Sequence, residues 1–241
     1  MSVVGGDEIV LSGPPGNVSG LVALDVAKST VVPISISAGG ASTVYRAIVR
    51  PAGTGQSEIR LKLPSDTAPG VYTAEATFDG KPRRIAVRVE PVMRISVEPR
   101  ETKLTAAATS SVDFGFTVTN SGNVPFVVPE ADVFDLDDHV AQDRALGRTL
   151  RAPLAQGERR VDRFFDELLE AHGGEAHVAV RRGAGRLEPG ESRELACVLD
   201  VPPTARAGRS YLGPWQLGNT AHLIVADITT PARPEPRRTK R

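Results

Sequence analysis

The side chains that could carry out covalent chemistry in this sequence are few and widely spaced. Cys197 alternates with Leu195 and Leu199, which predicts a buried strand position and not a reactive thiol. His177 could serve as a base for Ser192 or Cys197, but no third group can be assigned to orient it. The sequence therefore predicts no catalytic residues, and we expect a protein that is not an enzyme. The four histidines are His139, His172, His177 and His222.

Residues that could bind a metal ion are also too sparse for a recognisable site. His172 and His177 flank a double glycine, but zinc needs three or four ligands at workable spacing. Residues 130–138 read EADVFDLDD, and their carboxylates suit calcium, although the glycine and glutamate of an EF-hand are missing. We expect solvated carboxylates, with Asp137 or Asp138 capping a helix, and leave calcium open. We predict no cofactor and no metal site.

The composition is that of an ordinary globular protein rich in turns. The chain has 241 residues, of which 40% are hydrophobic and 24% charged, with 23 glycines and 19 prolines. Its formal net charge is zero, which argues against nucleic acid or an anionic membrane as a partner. Aromatic residues make up 5%, which argues against an aromatic-lined sugar-binding surface. No run of 18 apolar residues occurs, so we expect no membrane-spanning helix.

The two ends of the chain differ in character. Residues 1–13 lack the basic segment and following apolar segment of a secretory signal, so we expect a cytoplasmic protein. Residues 231–241 are rich in proline and arginine, which predicts a disordered basic tail.

Hydrophobic residues alternate with others through most of the first 90 residues, with turn-forming clusters between the runs. This pattern is typical of half-buried β-strands. Asp79-Gly80 between two such runs predicts a tight hairpin. We count about seven strands, which predicts a β-sandwich over residues 1–91. The apolar positions are Ile9–Leu11, Val22, Leu24, Val26, Val32, Ile34, Ile36, Tyr45–Val49, Ile59, Leu61, Leu63, Tyr72, Ala74, Ala76, Phe78, Ile85, Val87 and Val89.

A second β-sandwich is predicted over residues 93–230, after Pro91 closes the first. Residues 124–133 contain two prolines and therefore predict at most an edge strand. Residues 134–176 do not alternate, and we interpret them as an insertion. The residues predicted to form the cores are Tyr72, Phe78, Phe114, Phe116, Tyr211 and Leu217.

The two halves of the chain also repeat one pattern. Residues 63–70 read LPSDTAPG and residues 201–208 read VPPTARAG, and after one inserted residue Tyr72 aligns with Tyr211. Each segment runs from a strand end through a proline turn into a strand with an aromatic residue, a tight turn and a final strand. This agreement indicates a duplicated module.

Residues 187–228 contain LEPGES, a VPP turn, and AG followed shortly by tyrosine, and upstream lie ISVEP and FTVTNSGN. These elements resemble bacterial immunoglobulin/fibronectin-III-like modules, and APGVY at residues 68–72 is a similar element in the first half. The resemblance implies an all-β protein of two tandem immunoglobulin-like β-sandwich domains, the second with a helix-containing insertion. Such modules serve in adhesion, spacing, assembly and accessory roles, so the resemblance implies a fold and no reaction.

The insertion contains an amphipathic helix. Val161, Phe164, Phe165, Leu168, Leu169 and His172 recur at helical spacing, and Gly173-Gly174 predicts the end of the helix. Residues 138–153 are a weaker helix candidate. The apolar face either packs on its own domain or docks on another subunit, and the sequence leaves both open. The predicted partner-binding residues are Phe164, Phe165, Leu168, Leu169, Arg160 and Arg163.

These observations favour a structural or adaptor protein that assembles with other protein subunits, as an oligomer or a hetero-complex. Two alternatives stay open. One is an accessory module that binds a carbohydrate or another cell-surface ligand. The other is a two-domain immunoglobulin-like chaperone, in which Ile85, Val87 and Val89 would present a donor strand.

Overall fold

The computed structural model describes residues 8–38, 41–138, 140–151, 153–154, 159–169 and 171–230. These residues form 17 strands and two α-helices, so the protein is all-β as predicted apart from the helical segment. The predicted basic tail at 231–241 and His139 lie outside the described residues.

The chain divides into two compact units. The first comprises residues 1–94, 120–126 and 188–191, and the second comprises the remainder. That the two units fold independently, with a boundary at residues 91–93, stays a prediction.

The first unit contains seven strands joined into one closed ring. They follow the ring order β1-β2-β5-β4-β3-β6-β7, and β1 closes it by pairing in parallel with β7. The hydrogen bonding is therefore barrel-like, where the sequence predicted a sandwich. The strands are β1 (Ile9–Gly13), β2 (Val18–Val22), β3 (Thr30–Ala38), β4 (Ala41–Gly53), β5 (Gln56–Leu61), β6 (Gly70–Phe78) and β7 (Lys81–Val89).

Alternation along these strands places one row of side chains inside the ring. Asp79 and Gly80 both have positive φ (51° and 73°), as a two-residue hairpin between β6 and β7 requires. One predicted strand is misplaced, because β2 ends at Val22 and the buried Leu24 and partly buried Val26 follow it.

The prediction of a donor strand at Ile85, Val87 and Val89 is wrong. All three side chains are at most 2% exposed, and β7 pairs with β6 on one side and with β1 on the other. A strand that is paired along both edges has no free hydrogen-bonding groups to offer another protein.

The second unit contains an eight-stranded sheet in the order β8-β10-β15-β13-β12-β16-β17-β9, with β11 and β14 forming a separate ribbon. Among the described residues, no helix is both long and apolar enough to cross a membrane. The elements are β8 (Ile95–Glu98), β9 (Glu101–Ala107), β10 (Ser111–Asn120), β11 (Phe126–Val128), β12 (Ala131–Asp138), α1 (Ala141–Arg151), α2 (Arg160–Leu169), β13 (His172–Arg182), β14 (Gly185–Leu187), β15 (Ser192–Asp200), β16 (Ser210–Leu217) and β17 (Thr220–Thr229).

The two units share one order of pairing. In the first, β2 is followed across the sheet by β5, β4, β3, β6 and β7; in the second, β10 is followed by β15, β13, β12, β16 and β17. Each unit also has an early strand parallel to its last strand. In this correspondence β12 and β13 match β3 and β4. The segment with α1 and α2 therefore occupies the place of the connection between Ala38 and Ala41.

The predicted insertion at residues 134–176 is too long. Phe134, Leu136 and Asp138 are buried on β12, and β13 begins at His172. The acidic residues between the buried ones disguised the alternation. The prediction for residues 124–133 is wrong at its end, because β12 starts at Ala131 and pairs with both β13 and β16.

Aromatic rings fill the core of the second unit. Trp215 is fully buried and meets Phe116 edge-on, with ring centroids 5.5 Å apart, while His222 stacks on Phe116 at 4.0 Å. Five of the six predicted core residues are buried: Phe78, Phe114, Phe116, Tyr211 and Leu217. The sixth, Tyr72, is half-buried, and its hydroxyl donates to the Ala68 carbonyl at 2.7 Å.

In the first unit, Asn123 joins three parts of the backbone. Its Oδ1 accepts from the Val92 amide at 2.6 Å, and its Nδ2 donates to the carbonyls of Thr67 at 3.0 Å and Glu90 at 2.9 Å. The side chain is 2% exposed, so water cannot readily replace these bonds.

We predict that Phe116→Ala lowers the free energy of unfolding by about 3–5 kcal/mol, because it removes a buried ring and leaves a cavity. Urea denaturation followed by tryptophan fluorescence measures this through the neighbouring Trp215. Val127→Ala, at a site 64% exposed, is the matched control and should change stability little. Unchanged stability of the Phe116 variant would contradict its assigned packing.

We predict that Asn123→Ala lowers the free energy of unfolding by about 2–4 kcal/mol, since buried backbone groups lose their hydrogen-bond partners. Ser121→Ala removes only an exposed 3.2 Å bond to the Arg94 carbonyl and serves as the control. Urea titration followed by far-ultraviolet circular dichroism, which reports on the strands of both units, compares both variants with the wild type. Equal effects of the two substitutions would show that the Asn123 bonds do not stabilise the first unit.

Candidate functional site

The structure does not bring together the residues considered for nucleophilic catalysis. Cys197 is 2% exposed, and burial raises the pKa of its thiol to about 12, so the thiolate is not populated near neutrality. His177 pairs across the sheet with Asp200, eight residues along β15 from Ser192. That spacing corresponds to about 26 Å along a strand. The Ser192 hydroxyl instead lies 2.8 Å from the Thr119 hydroxyl.

The acidic run at 130–138 is divided by strand alternation. Asp132 Oδ2 accepts from the indole of Trp215 at 3.0 Å. Asp138 Oδ1 accepts from the Val140 amide, which lies before α1, so this bond does not cap the helix. Asp135 and Asp137 lie on the outer side, where His172 Nδ1 is 3.1 Å from Asp137 Oδ1. Over the part of the chain that the structure describes, no cluster of metal-ligating residues occurs.

His222 is a buried histidine that sequence analysis could not distinguish from a surface one. Its Nε2 lies 3.0 Å from Thr102 Oγ1, and its ring stacks on the aromatic core. Burial lowers its pKa below the ordinary value, although an interaction with the Pro99 backbone opposes this shift. These features suit a neutral core residue that stabilises the fold.

The feature that the fold does not explain is the pair α1 and α2. The two helices pack antiparallel, with Arg148 and Glu167 paired at 2.8 Å. Arg160 donates to the carbonyls of Thr149 at 2.6 Å and Leu150 at 3.3 Å. We call this pair of helices the helical hairpin.

One row of side chains lies between the two helices. Ala145 and Thr149 are buried on α1, and the half-buried Phe164 and Leu168 lie opposite them on α2. α2 has no fully buried side chain. The helical pattern expected at residues 161–172 is confirmed through Leu169, but His172 belongs to β13.

A second row of side chains is exposed to solvent. Each residue of this second row comes directly after a residue of the buried row in the sequence, or lies one helical turn from it. In two antiparallel helices this offset places the second row on the same side of both helices. Arg148 and Glu167 precede inner residues and lie on the opposite side. The exposed fractions are 58% for Phe165 and 74% for Leu169. We call this row the hairpin face, and it consists of Leu146, Leu150, Val161, Phe165 and Leu169.

The structure thus separates the predicted partner-binding residues into groups. Phe165 and Leu169 lie on the hairpin face, whereas Phe164 and Leu168 pack inside the helical hairpin. Arg160 and Arg163 hold the end of α1 and the following loop, and Arg163 donates to the Pro153 carbonyl at 2.7 Å.

Sequence reasoning underrated two members of the hairpin face, Leu146 and Leu150. Their separation by four residues was the available signal.

Close packing fixes the base of the helical hairpin to the sheet. Asp138 is 1% exposed at its side chain and lies 3.4 Å from the Arg209 guanidinium. Gly173 lies against Tyr211, where a Cβ would come within 2.6 Å of the ring. The double glycine therefore belongs to β13 and permits this approach, and it does not end α2 as the sequence predicted.

No protein-family model matches the chain, and no curated protein matches it. A protein of unknown function from Porphyromonas gingivalis is similar over 93% of this chain and 98% of its own, with 10% identity and a TM-score of 0.25. A titin segment covers 92% and 95%, with 9% identity and a TM-score of 0.30. Dpr11 IG1 bound to DIP-gamma covers 92% and 96%, with 10% identity and a TM-score of 0.32. Similarities at this level support no inference about function.

We predict that His222 makes stability fall as the pH drops below about 6.5, its ordinary pKa. The unfolded chain then binds a proton that the folded core disfavours. Melting temperatures of wild type and His222→Phe are measured from pH 7.5 to 5. As the pH falls, the melting temperature of the wild type should decrease more than that of the variant. Parallel curves for wild type and His222→Phe would contradict the prediction.

Proposed function

We propose that this protein is a non-catalytic assembly protein whose helical hairpin binds a protein partner. The observation that carries the proposal is the place of the helical hairpin. The fold of the second unit follows the same strand order as the first, which does without these helices. The helical hairpin nevertheless presents an apolar row to water, and such rows on soluble proteins mark interaction sites.

We also infer that both units are immunoglobulin/fibronectin-III-like modules produced by duplication. Their common order of strands supports this, as do the two tyrosines of the repeat. Tyr72 donates to the Ala68 carbonyl, and the Tyr211 hydroxyl accepts from the Arg206 amide at 3.0 Å. In each unit the tyrosine hydroxyl therefore forms a hydrogen bond with the backbone of the turn that precedes the tyrosine's own strand.

The geometry of the hairpin face suits a helix or a flat apolar surface as its counterpart. Phe165 is an aromatic anchor, and aromatic side chains carry much of the binding energy of protein interfaces. The flanking Leu169, Val161 and Leu150 would exclude water around it. Trp215 and Tyr211, the residues that a carbohydrate-binding module would need on its surface, are both fully buried.

The proposal is tested by placing a photo-crosslinking phenylalanine analogue at position 165 or 169 in the native host. We expect discrete adducts with protein from both positions. The same analogue at Val71, which is 67% exposed on the first unit, is the matched control and should give none. Absence of adducts at both hairpin positions would overturn the proposal.

We predict that Phe165→Asp with Leu169→Asp leaves the protein folded and removes those adducts from a crosslinker at Val161. Phe164→Asp with Leu168→Asp should instead unfold the helical hairpin, because it places carboxylates between the helices. Helical circular dichroism separates the two outcomes. Loss of helix in the first variant would show that the hairpin face is needed for folding and not for binding.

A further inference from the structure

A second apolar surface lies on the outside of the ring of the first unit. β3 and β4 present four neighbouring apolar side chains outward: Val31, Pro33, Val44 and Ile48. Val31 lies directly across from Ile48, and Pro33 lies across from Arg46. Val44 is 63% exposed and Val31 is 59% exposed. We call these four residues the sheet patch.

Basic residues outnumber acidic ones beside the sheet patch, where the acids are Glu58, across from Arg50, and Glu75, across from Ser35. Arg46 and Arg50 alternate with Ile48 along β4, and Arg60 lies across from Ile48 on β5. Arg60 forms an ion pair with Glu58 at 2.9 Å. Arg46 and Arg50 have no carboxylate partner among the residues that the structure describes, so both guanidinium groups are available to another molecule.

Acidic residues surround the hairpin face. Asp143 borders it on α1, and Asp162 and Asp166 border it on α2, one turn or one position beyond the apolar row. Asp162 is bound by Arg159 at 2.7 Å, whereas Asp143 and Asp166 have no basic partner within the described ranges. Arg151 and Arg159 are the cations that the described residues place near this border.

The two apolar surfaces agree in length. The row from Val161 to Leu169 is about 12 Å long, and the row from Val44 to Ile48 is about 13 Å long.

We propose that the hairpin face of one copy binds the sheet patch of a second copy, head to tail. This rests on the proposed function and names its partner. Opposite charge at the two borders favours this pairing over hairpin against hairpin, where like acidic borders would meet. Because the two surfaces are different, the contact leaves one of each free at the ends of a pair. Further copies can then add to form open chains.

The test is sedimentation velocity of the full chain over a concentration series up to about 1 mM, the weak end of specific binding. Wild type should form progressively longer species. Phe165→Asp and Val44→Asp should each sediment as monomers, because each variant lacks one of the two surfaces. An equimolar mixture of the two variants should give a dimer and nothing larger.

Val71→Asp and Val127→Asp replace valines of equal exposure outside both surfaces and should assemble as wild type does. Circular dichroism and thermal melting establish that every variant is folded, and Phe165→Ser and Val44→Ser replace any variant that is not. Weaker assembly at high salt is expected, since the charged borders are exposed.

Substitutions that reverse the charge at one border test whether the two borders meet. Arg46→Asp or Asp166→Arg alone should weaken assembly about two- to five-fold, as exposed ion pairs do. Mixed together, the two charge variants should recover part of the loss. Failure of the mixture to recover would show that these two borders do not meet.

Two outcomes overturn the proposal. A wild-type protein that stays monomeric at about 1 mM excludes self-association, and crosslinks to a different protein would then still support the proposed function. Loss of assembly in Phe165→Asp but not in Val44→Asp would mean that hairpin faces pair with each other. Absence of any crosslink at the hairpin face would instead overturn the proposed function itself.

Discussion

The structure depends on the parallel ladder between an early strand and the last strand of each unit. β1 lies beside β7 and β9 lies beside β17, so each ladder joins an early strand of its unit to the last one. The strands between them pair with one another by hydrogen bonds in the same order in both units. The connections between strands carry few of these bonds. Their length can therefore change without disturbing the ladder, and the helical hairpin occupies one of them.

Two kinds of contact hold the helical hairpin, and they act on different parts of it. At its base, the Asp138–Arg209 pair and the approach of Gly173 to Tyr211 are buried, so they fix where the chain leaves and re-enters the sheet. Beyond the base, Phe164 and Leu168 of α2 pack against the small residues Ala145 and Thr149 of α1. That packing uses only one side of each helix. The residues that hold the helical hairpin in place are therefore different from those that it exposes to solvent.

Most strands could be predicted from the sequence because alternation survives where one face is wet. Prediction failed where charge concealed the pattern. In residues 134–138 the aspartates point both ways, so Phe134 and Leu136 looked like isolated apolar residues. β9 was missed because its inward row contains small residues such as Ala106. Pairing partners were also beyond reach: alternation assigns a face to each side chain, but the ring closure by β1 and β7 depends on long-range contacts. For the candidate site, helical spacing identified α2. Helical spacing could not show that Phe164 is half-buried and Phe165 exposed, because their burial depends on the position of α1.

The place of the helical hairpin has an evolutionary consequence. Lengthening a connection costs only about 0.6 kcal/mol for each doubling of its length. Growth from residues 39–40 in one unit to residues 139–171 in the other amounts to about four doublings, or about 2–3 kcal/mol. Under the proposed duplication, one copy could therefore acquire a new segment at this position while the other kept a short connection. The position between β3 and β4 remains an equivalent acceptor, where a foreign segment could be grafted without altering the strand order.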